Sequence, residues 1–280
     1  MDKKILTIQD VSCYGQCSLT VALPILSAMG IETAIIPSAV LSTHTGGFTG
    51  YTFRDLTEDL PAINAHWAKE NINFDTFYTG YVGSKLQLGY IKDIVTSRAK
   101  EGALFIVDPV MADNGKLYYG FDEAFAAEMA QFVKGANVIL PNLTEASFLL
   151  KEPYVTEYDE KYIEGLVRRL SALSGGDVVL TGVTFDPTKL GVAAYSKATD
   201  TTHYYFEERI PGGFHGTGDV YASSFVGALT QGLSLNDAAD LAVDFTVAAI
   251  RATVPDRETH WYGVKFEKAL PFLIDRLRNK

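Results

Sequence analysis

The chain has 280 residues, 47 % hydrophobic and 21 % charged, with a formal net charge of −10. That is enough apolar material for a sizeable core. The acidic balance, with no Lys/Arg block, argues against a nucleic acid or an anionic membrane as partner. No apolar run approaches a membrane span, and the run after Lys4 is too short for a secretory signal, so a cytoplasmic location is expected.

In chain order, a buried strand is predicted over 4–9, a loop over 10–16 and a helix over 17–29 that stops at Gly30. Cys13 and Cys17 lack the Cys-x-x-Cys redox spacing, and no second ligand pair completes a zinc site. Reduced thiols at packed positions are expected. A β-branched stretch over 31–41 predicts the second strand. The segment 42–50 is too rich in Gly and Thr for regular structure. A helix over 52–70 follows, then a strand over 74–79, a loop over 80–84, a helix over 85–100 and a strand over 103–108. The pattern continues with a helix over 122–133, a strand over 137–140, a short helix after Asn142, a helix over 159–173 and a strand over 177–181. Segments 191–196 and 201–208 read as an antiparallel pair. Three helices close the chain, over 219–231, 235–253 and 258–278.

Such alternation is the signature of βαβ units and a mostly parallel sheet with helices on both faces. No internal repeat or linker is visible, so one domain over 1–280 is expected. Ligands of open parallel sheets bind beyond the carboxyl ends of the strands. The unusual residues fall there: Asp10-Val11-Ser12, the Thr/Gly loop, Gly80-Tyr81-Val82-Gly83, Asp108 to Asp113, Pro141 to Glu145, and Thr181-Gly182.

The stretch Gly212 to Asp219 leads from a Gly-rich loop into a helix N-terminus, where free N–H groups and the helix dipole can hold an anion. Asp219, in the first turn, would repel a resting phosphate but suits a base that takes a proton from an attacking hydroxyl. The alternative is an acidic residue that only stabilises its helix. Asp108, Asp113 and Glu145 form a set of hard oxygen ligands suited to Mg²⁺. Individually, Asp108 before Pro109 could be turn chemistry and Glu145 could only favour a helix start. Ser42, Thr43, Thr45 and Thr49 offer loop hydroxyls, and His44 and His215 could be ligands, bases or structural. The Gly-x-Ser-x-Gly elbow, the Walker loop and a Gly-x-Gly-x-x-Gly after the first strand are all absent.

Gly216-Thr217-Gly218-Asp219 resembles the Gly-x-Gly-Asp signature of the ribokinase-like superfamily. Asn142-Leu143-Thr144-Glu145 resembles its Asn-x-x-Glu motif, and Asp108-Pro109-Val110-Met111 the Asp-Pro-Val-Met segment of its vitamin-kinase branch. Ile8 to Gly15 and Gly80 to Ser84 are similar to pyridoxal kinases in particular. The resemblance implies a ribokinase-like three-layer α/β/α sandwich with a mostly parallel central sheet. It implies a kinase that transfers phosphate from ATP to the 5′-hydroxymethyl group of pyridoxal, pyridoxine or pyridoxamine. Asp219 would be the general base, and Gly216, Thr217 and Gly218 the anion hole. Asp108, Asn142, Glu145 and Thr181 would face ATP, with Asp108, Asp113 and Glu145 toward Mg²⁺. Asp10, Thr45 and Tyr81 would surround the ring. A monovalent cation (K⁺ or Na⁺) and a homodimer are further implications. Two departures stand out: Asp10 replaces the usual Ser, and Cys17-Ser18 the usual Gly-Asn. Asp10 could pair with a protonated ring nitrogen or an amino group, which leaves the preferred vitamer open. A hydroxymethylpyrimidine kinase is the alternative enzyme, and a non-catalytic ligand sensor the alternative from another class.

Overall fold

A computed structural model describes residues 2–279. Its first half contains β1 (Lys4–Ser12), α1 (Leu19–Ala28), β2 (Glu32–Leu41), β3 (Phe53–Asp55), α2 (Asp59–Lys69), β4 (Phe74–Thr79), α3 (Lys85–Arg98) and β5 (Ala99–Val107). A short hairpin follows, β6 (Ala112–Asp113) and β7 (Lys116–Leu117), then α4 (Glu123–Phe132), β8 (Val138–Ile139), α5 (Leu143–Leu150) and α6 (Glu160–Ser174). The chain ends with β9 (Asp177–Val183), β10 (Lys189–Ser196), β11 (Thr201–Glu208), α7 (Thr217–Thr230), α8 (Leu235–Thr253) and α9 (Phe266–Arg278).

Nine strands form one sheet in the order β11-β10-β9-β8-β5-β4-β1-β2-β3. The pairs from β2 through β9 are parallel, and β3, β10 and β11 add antiparallel edges. The central strands are apolar on both faces because both faces are covered. One core packs α2 to α6 against the sheet through residues such as Leu60, Ile91, Met129 and Leu166. The other packs α1, α7, α8 and α9 through Ile25, Phe225, Phe245 and Leu273. The result is the three-layer architecture expected from the sequence. From β1 the chain pairs to β2 on one side and to β4 on the other, so a crevice opens at the carboxyl ends of β1 and β4.

Several local expectations are corrected. β1 does not end at Gln9: past a bulge it continues, with Val11 opposite Val40 and Ser12 opposite Leu41. Asp10 therefore lies in a strand, not a loop. The helix expected over 52–70 is divided, because Phe53–Asp55 pairs antiparallel with the end of β2 and the helix begins only at Asp59. The β6–β7 hairpin was not foreseen; two-residue strands carry too little periodicity to read. The last helix starts at Phe266 rather than 258, after a 3₁₀ turn over Val254–Asp256.

Candidate active site

The N-terminus of α7 lies near the carboxyl ends of the strands: Asp219 feels Asp10 on β1 and acts on Asp108 just after β5. Gly216 has φ +76°, and a Cβ there would meet the Gln16 carbonyl oxygen at 1.9 Å, so only glycine permits this close approach. No side chain caps α7. The first amides of a 14-residue helix are thus offered to a ligand. The space beside Gly218 is open, and Thr217 Oγ1 donates back to the Phe214 carbonyl at 3.3 Å, fixing the turn.

Asp219 lies in the first turn of α7. Burial raises its pKa to about 7, Asp10 adds to the rise, and hydrogen bonds from the Ser18 N–H and the Cys17 thiol oppose it. Ser18 also donates its hydroxyl to Asp10, as does Ser12, whose Oγ lies 2.9 Å from Asp10 Oδ2. Asp10 is buried, and that burial raises its pKa. Ser18 therefore bridges the two carboxylates, from a backbone with φ 54° and ψ −129°. Such a conformation in a non-glycine residue is costly and persists where its surroundings over-determine it. Cys17 is a free thiol whose pKa is pushed well up, by burial first and then by Asp219 and Asp10, so it remains a neutral donor. Cys13, in contrast to expectation, is exposed. Tyr81 completes this side: its pKa is raised to about 12, by burial first and next by Asp10, and its ring packs on Phe121 at 5.4 Å.

A second acidic group lies within electrostatic reach of Asp219. Asp108 is buried, and burial, Glu145 and Asp219, in that order, push its pKa well above the usual carboxylate range. Glu145 is raised to about 8 by burial, although backbone N–H groups partly offset this. Two of those amides are Met111 N–H at 3.1 Å and Asn142 N–H at 2.9 Å. The Glu145 N–H in turn donates to Asn142 Oδ1, forming a capping box at the start of α5. The Asn142 side-chain amide also donates to the Ala112 carbonyl at 2.8 Å, tying the hairpin to α5. Thr181 bridges to Asn142 at the end of β9. Asp113 adds its charge near Glu145 but is exposed, with its carboxylate on Asn114. Among the described residues, no three acidic, His or Cys side chains form a ready metal cage. Tyr118, not singled out in the sequence, has Glu145, Asp113, Asp108 and Asp219 all acting to raise its pKa after burial. No local motif marks it; only the hairpin places it there.

The 42–50 loop packs beside the approach to α7, where a Cβ on Gly46 would lie 2.7 Å from His215 Nδ1. Thr45 is exposed on it. His44 beside it is buried and belongs to a set of rings from four segments: Tyr14, Phe48, His215 and the pair Trp261 and Tyr262. The loop before α9 was not visible as a site element, because contacts distant in sequence bring it in, such as His44 with the Tyr262 carbonyl and His260 with Gln16.

A sequence model of the phosphomethylpyrimidine kinase family matches residues 23–262. The chain belongs to this family. Within it, the chain is similar to a Bacteroides thetaiotaomicron protein provisionally described as a phosphomethylpyrimidine kinase and crystallised with pyridoxal. The two are 38% identical, with a TM-score of 0.93 over 98% of this chain and 96% of that one. It is also similar to the crystal structure of pyridoxal kinase from Lactobacillus plantarum, at 34% identity and a TM-score of 0.90 over 98% of this chain and 97% of that one. A Caenorhabditis elegans protein, provisionally named a pyridoxal kinase, is 30% identical over 94% of this chain and 84% of its own length. The family's ribokinase-like fold, expected from the sequence, is the fold observed.

Proposed function

We propose that this kinase phosphorylates the 5′-hydroxymethyl group of vitamin B6 vitamers with ATP, and that Asp219 is its general base. The observation that supports this most is the position of Asp219. It stands at an uncapped helix N-terminus, close enough to Asp10 to feel its charge and close enough to Asp108 to raise the pKa of that carboxyl, which Glu145 also raises. A base with a pKa near the working pH removes a hydroxyl proton efficiently. In this reading the 5′-oxygen loses its proton to Asp219 and forms a bond to the γ-phosphorus. The bond between that phosphorus and the bridging oxygen breaks, and ADP leaves with the electron pair. The amides of Gly216, Thr217 and Gly218 hold the charge on the transferring group.

Buried, mutually repelling Asp108 and Glu145 fit a site that receives a cation with the nucleotide. Mg²⁺ keeps several waters and needs few direct protein bonds, so the lack of a full cage is no obstacle. When bound, it would neutralise phosphate charge; Asp108 and Glu145 would hold it, with Asp113 at longer range. Asn142 and Thr181 border the nucleotide side. Asp10, Thr45 and Tyr81 border the ring, and the chain acts as one domain and a homodimer. A monovalent cation beside the nucleotide belongs to the same reading.

The match to the phosphomethylpyrimidine kinase family favours one second reading, a hydroxymethylpyrimidine as acceptor. ADP release measured with pyridoxal, pyridoxine, pyridoxamine and hydroxymethylpyrimidine in parallel tests both. The vitamers should be turned over with the higher kcat/KM. Preference for the pyrimidine would overturn the vitamer assignment, and no turnover of any would overturn the kinase chemistry.

A further inference from the structure

His44 joins three separate segments. Its own N–H donates to the Tyr14 carbonyl at 3.3 Å, in the connection between β1 and α1. Its Nδ1 accepts the Gly46 N–H at 3.0 Å, inside the 42–50 loop. Its Nε2 lies 2.7 Å from the Tyr262 carbonyl, in the segment before α9. These partners fix the proton. Nδ1 accepts an N–H and so carries no hydrogen, whereas a carbonyl can only accept, so Nε2 carries it. The ring is buried at 5% exposure. A Cβ on Gly15 would fall 2.1 Å from His44 Cδ2, so the neighbouring backbone closes directly on it. Phe48 meets the ring edge-on at 5.0 Å, and His215 lies 5.5 Å away.

We propose that His44 is a positioning residue: its neutral Nε2–H form latches the 42–50 loop over the vitamer pocket, and protonation releases it. The proposal rests on the vitamer-kinase reading for what the loop covers, but not for the latch itself. A proton added at Nδ1 would point at the Gly46 N–H, setting two donors face to face. It would also place a cation beside His215. Burial is the main cause that lowers the His44 pKa; His215 lowers it further, and only the Tyr262 carbonyl opposes. The titratable groups around the ring are Tyr14 from the β1–α1 connection, His215 from the approach to α7, and Tyr262 from the segment before α9. His260 packs on Tyr262 at 4.4 Å and is itself influenced by Lys265 and Glu267. The charge that acts on His44 is another imidazole, not a carboxylate that would retain the proton.

The sign follows. A released histidine titrates near about 6.5, and the latched one lower. The latch is therefore at full strength above that value. It weakens by up to about tenfold per pH unit below it, until the latched pKa is reached.

The chain has two tryptophans, and Trp261 packs on Phe48 of the loop at 4.6 Å. Trp67 packs on Phe74, in the core beneath α2 to α6 and away from Phe48. Trp67→Phe in the full chain thus makes Trp261 emission a reporter of the loop that needs no turnover. On titration from about pH 8 to about pH 5, a step is expected below about 6.5. Adding His44→Gln should abolish it, because Gln keeps a donor for the Tyr262 carbonyl but does not titrate. In wild type, KM for pyridoxal should rise about threefold to tenfold from about pH 7.5 to about pH 5.5, with KM for ATP nearly level. In His44→Gln the pyridoxal KM should be flat over that interval. No step in the Trp67→Phe protein, or an unchanged step after His44→Gln, would overturn the latch. A His44-dependent step in a protein that does not phosphorylate vitamers would support the latch and refute the vitamer reading instead.

Discussion

Replacing Asp219 by Asn separates a catalytic role from a structural one, because the two properties should move in opposite directions. The burial of Asp219 lifts its pKa to about 7, about 3 units above the ordinary aspartate value of about 3.9. The folded state therefore holds a proton that the unfolded chain releases, and between about pH 4 and about pH 7 stability falls as pH rises. Above pH 7 the ionised carboxylate is a destabilising group. At about 1.4 kcal/mol per unit the ceiling is about 4 kcal/mol. The crevice admits some solvent, and Asn retains an acceptor for the Ser18 N–H, so about half of that is expected. For a chain of this size the gain corresponds to a Tm higher by about 3–4 °C at pH 8. It should shrink as pH falls below about 7 and vanish only near about pH 4, where Asp219 is protonated in the unfolded chain as well. General-base catalysis contributes about 10²–10⁴-fold, so kcat should fall within that range while ATP binding persists. Scanning calorimetry at the two pH values and a coupled ADP assay make the comparison. A Tm loss at pH 8 would refute the desolvation argument, and activity within about threefold of wild type would remove Asp219 from the chemistry.

Wild-type kcat/KM should decline below about pH 7, because the base must be ionised to accept the proton and its pKa is about 7; an acid limb near pH 4 would show that another group titrates. Gly216→Ala places a Cβ 1.9 Å from the Gln16 carbonyl at φ +76°; kcat should fall by more than about 10²-fold, a loss typical of a disrupted oxyanion site, and a near-normal kcat would mean the turn holds no anion. Glu145→Gln turns one of two acceptors, now taking Met111 and Asn142 N–H, into a donor. Thermal unfolding should show a loss of about 1–3 kcal/mol, and the Mg²⁺ concentration for half-maximal rate should rise; an unchanged Mg²⁺ titration would confine Glu145 to its capping role. Asp10→Ser should lower kcat/KM for pyridoxamine about ten- to hundredfold more than for pyridoxal, since only the former brings an ammonium group; an unchanged ratio would mean Asp10 serves only Ser12 and Ser18.

Much of the site was legible because its chemistry is local. Gly216 to Asp219 is a continuous run whose glycines and acid define a helix N-terminus, and Asn142 to Glu145 is a capping box within four residues. Ser18 was not legible. Its importance lies in a φ of 54° and in bonds to carboxylates on β1 and α7, and no sequence pattern encodes either. Tyr118 was missed for a similar reason, since a hairpin of two-residue strands puts it among four carboxylates. His44 was noticed only as one histidine among five, because its two nitrogens find partners in Gly46 and in the distant Tyr262.

The sequence by itself determined the alternation of strands and helices, the parallel sheet, and the loops that carry the unusual residues. These follow from periodicity and turn chemistry, which act between near neighbours. The tertiary structure decided which charges share a desolvated space. Asp10 and Asp219 are 209 positions apart in the chain, and Asp10 on β1 raises the pKa of Asp219 on α7 only because the packed fold brings these two elements together. The raised pKa of Asp219 arises from that burial, and burial is a property of the packed layers rather than of any residue in them.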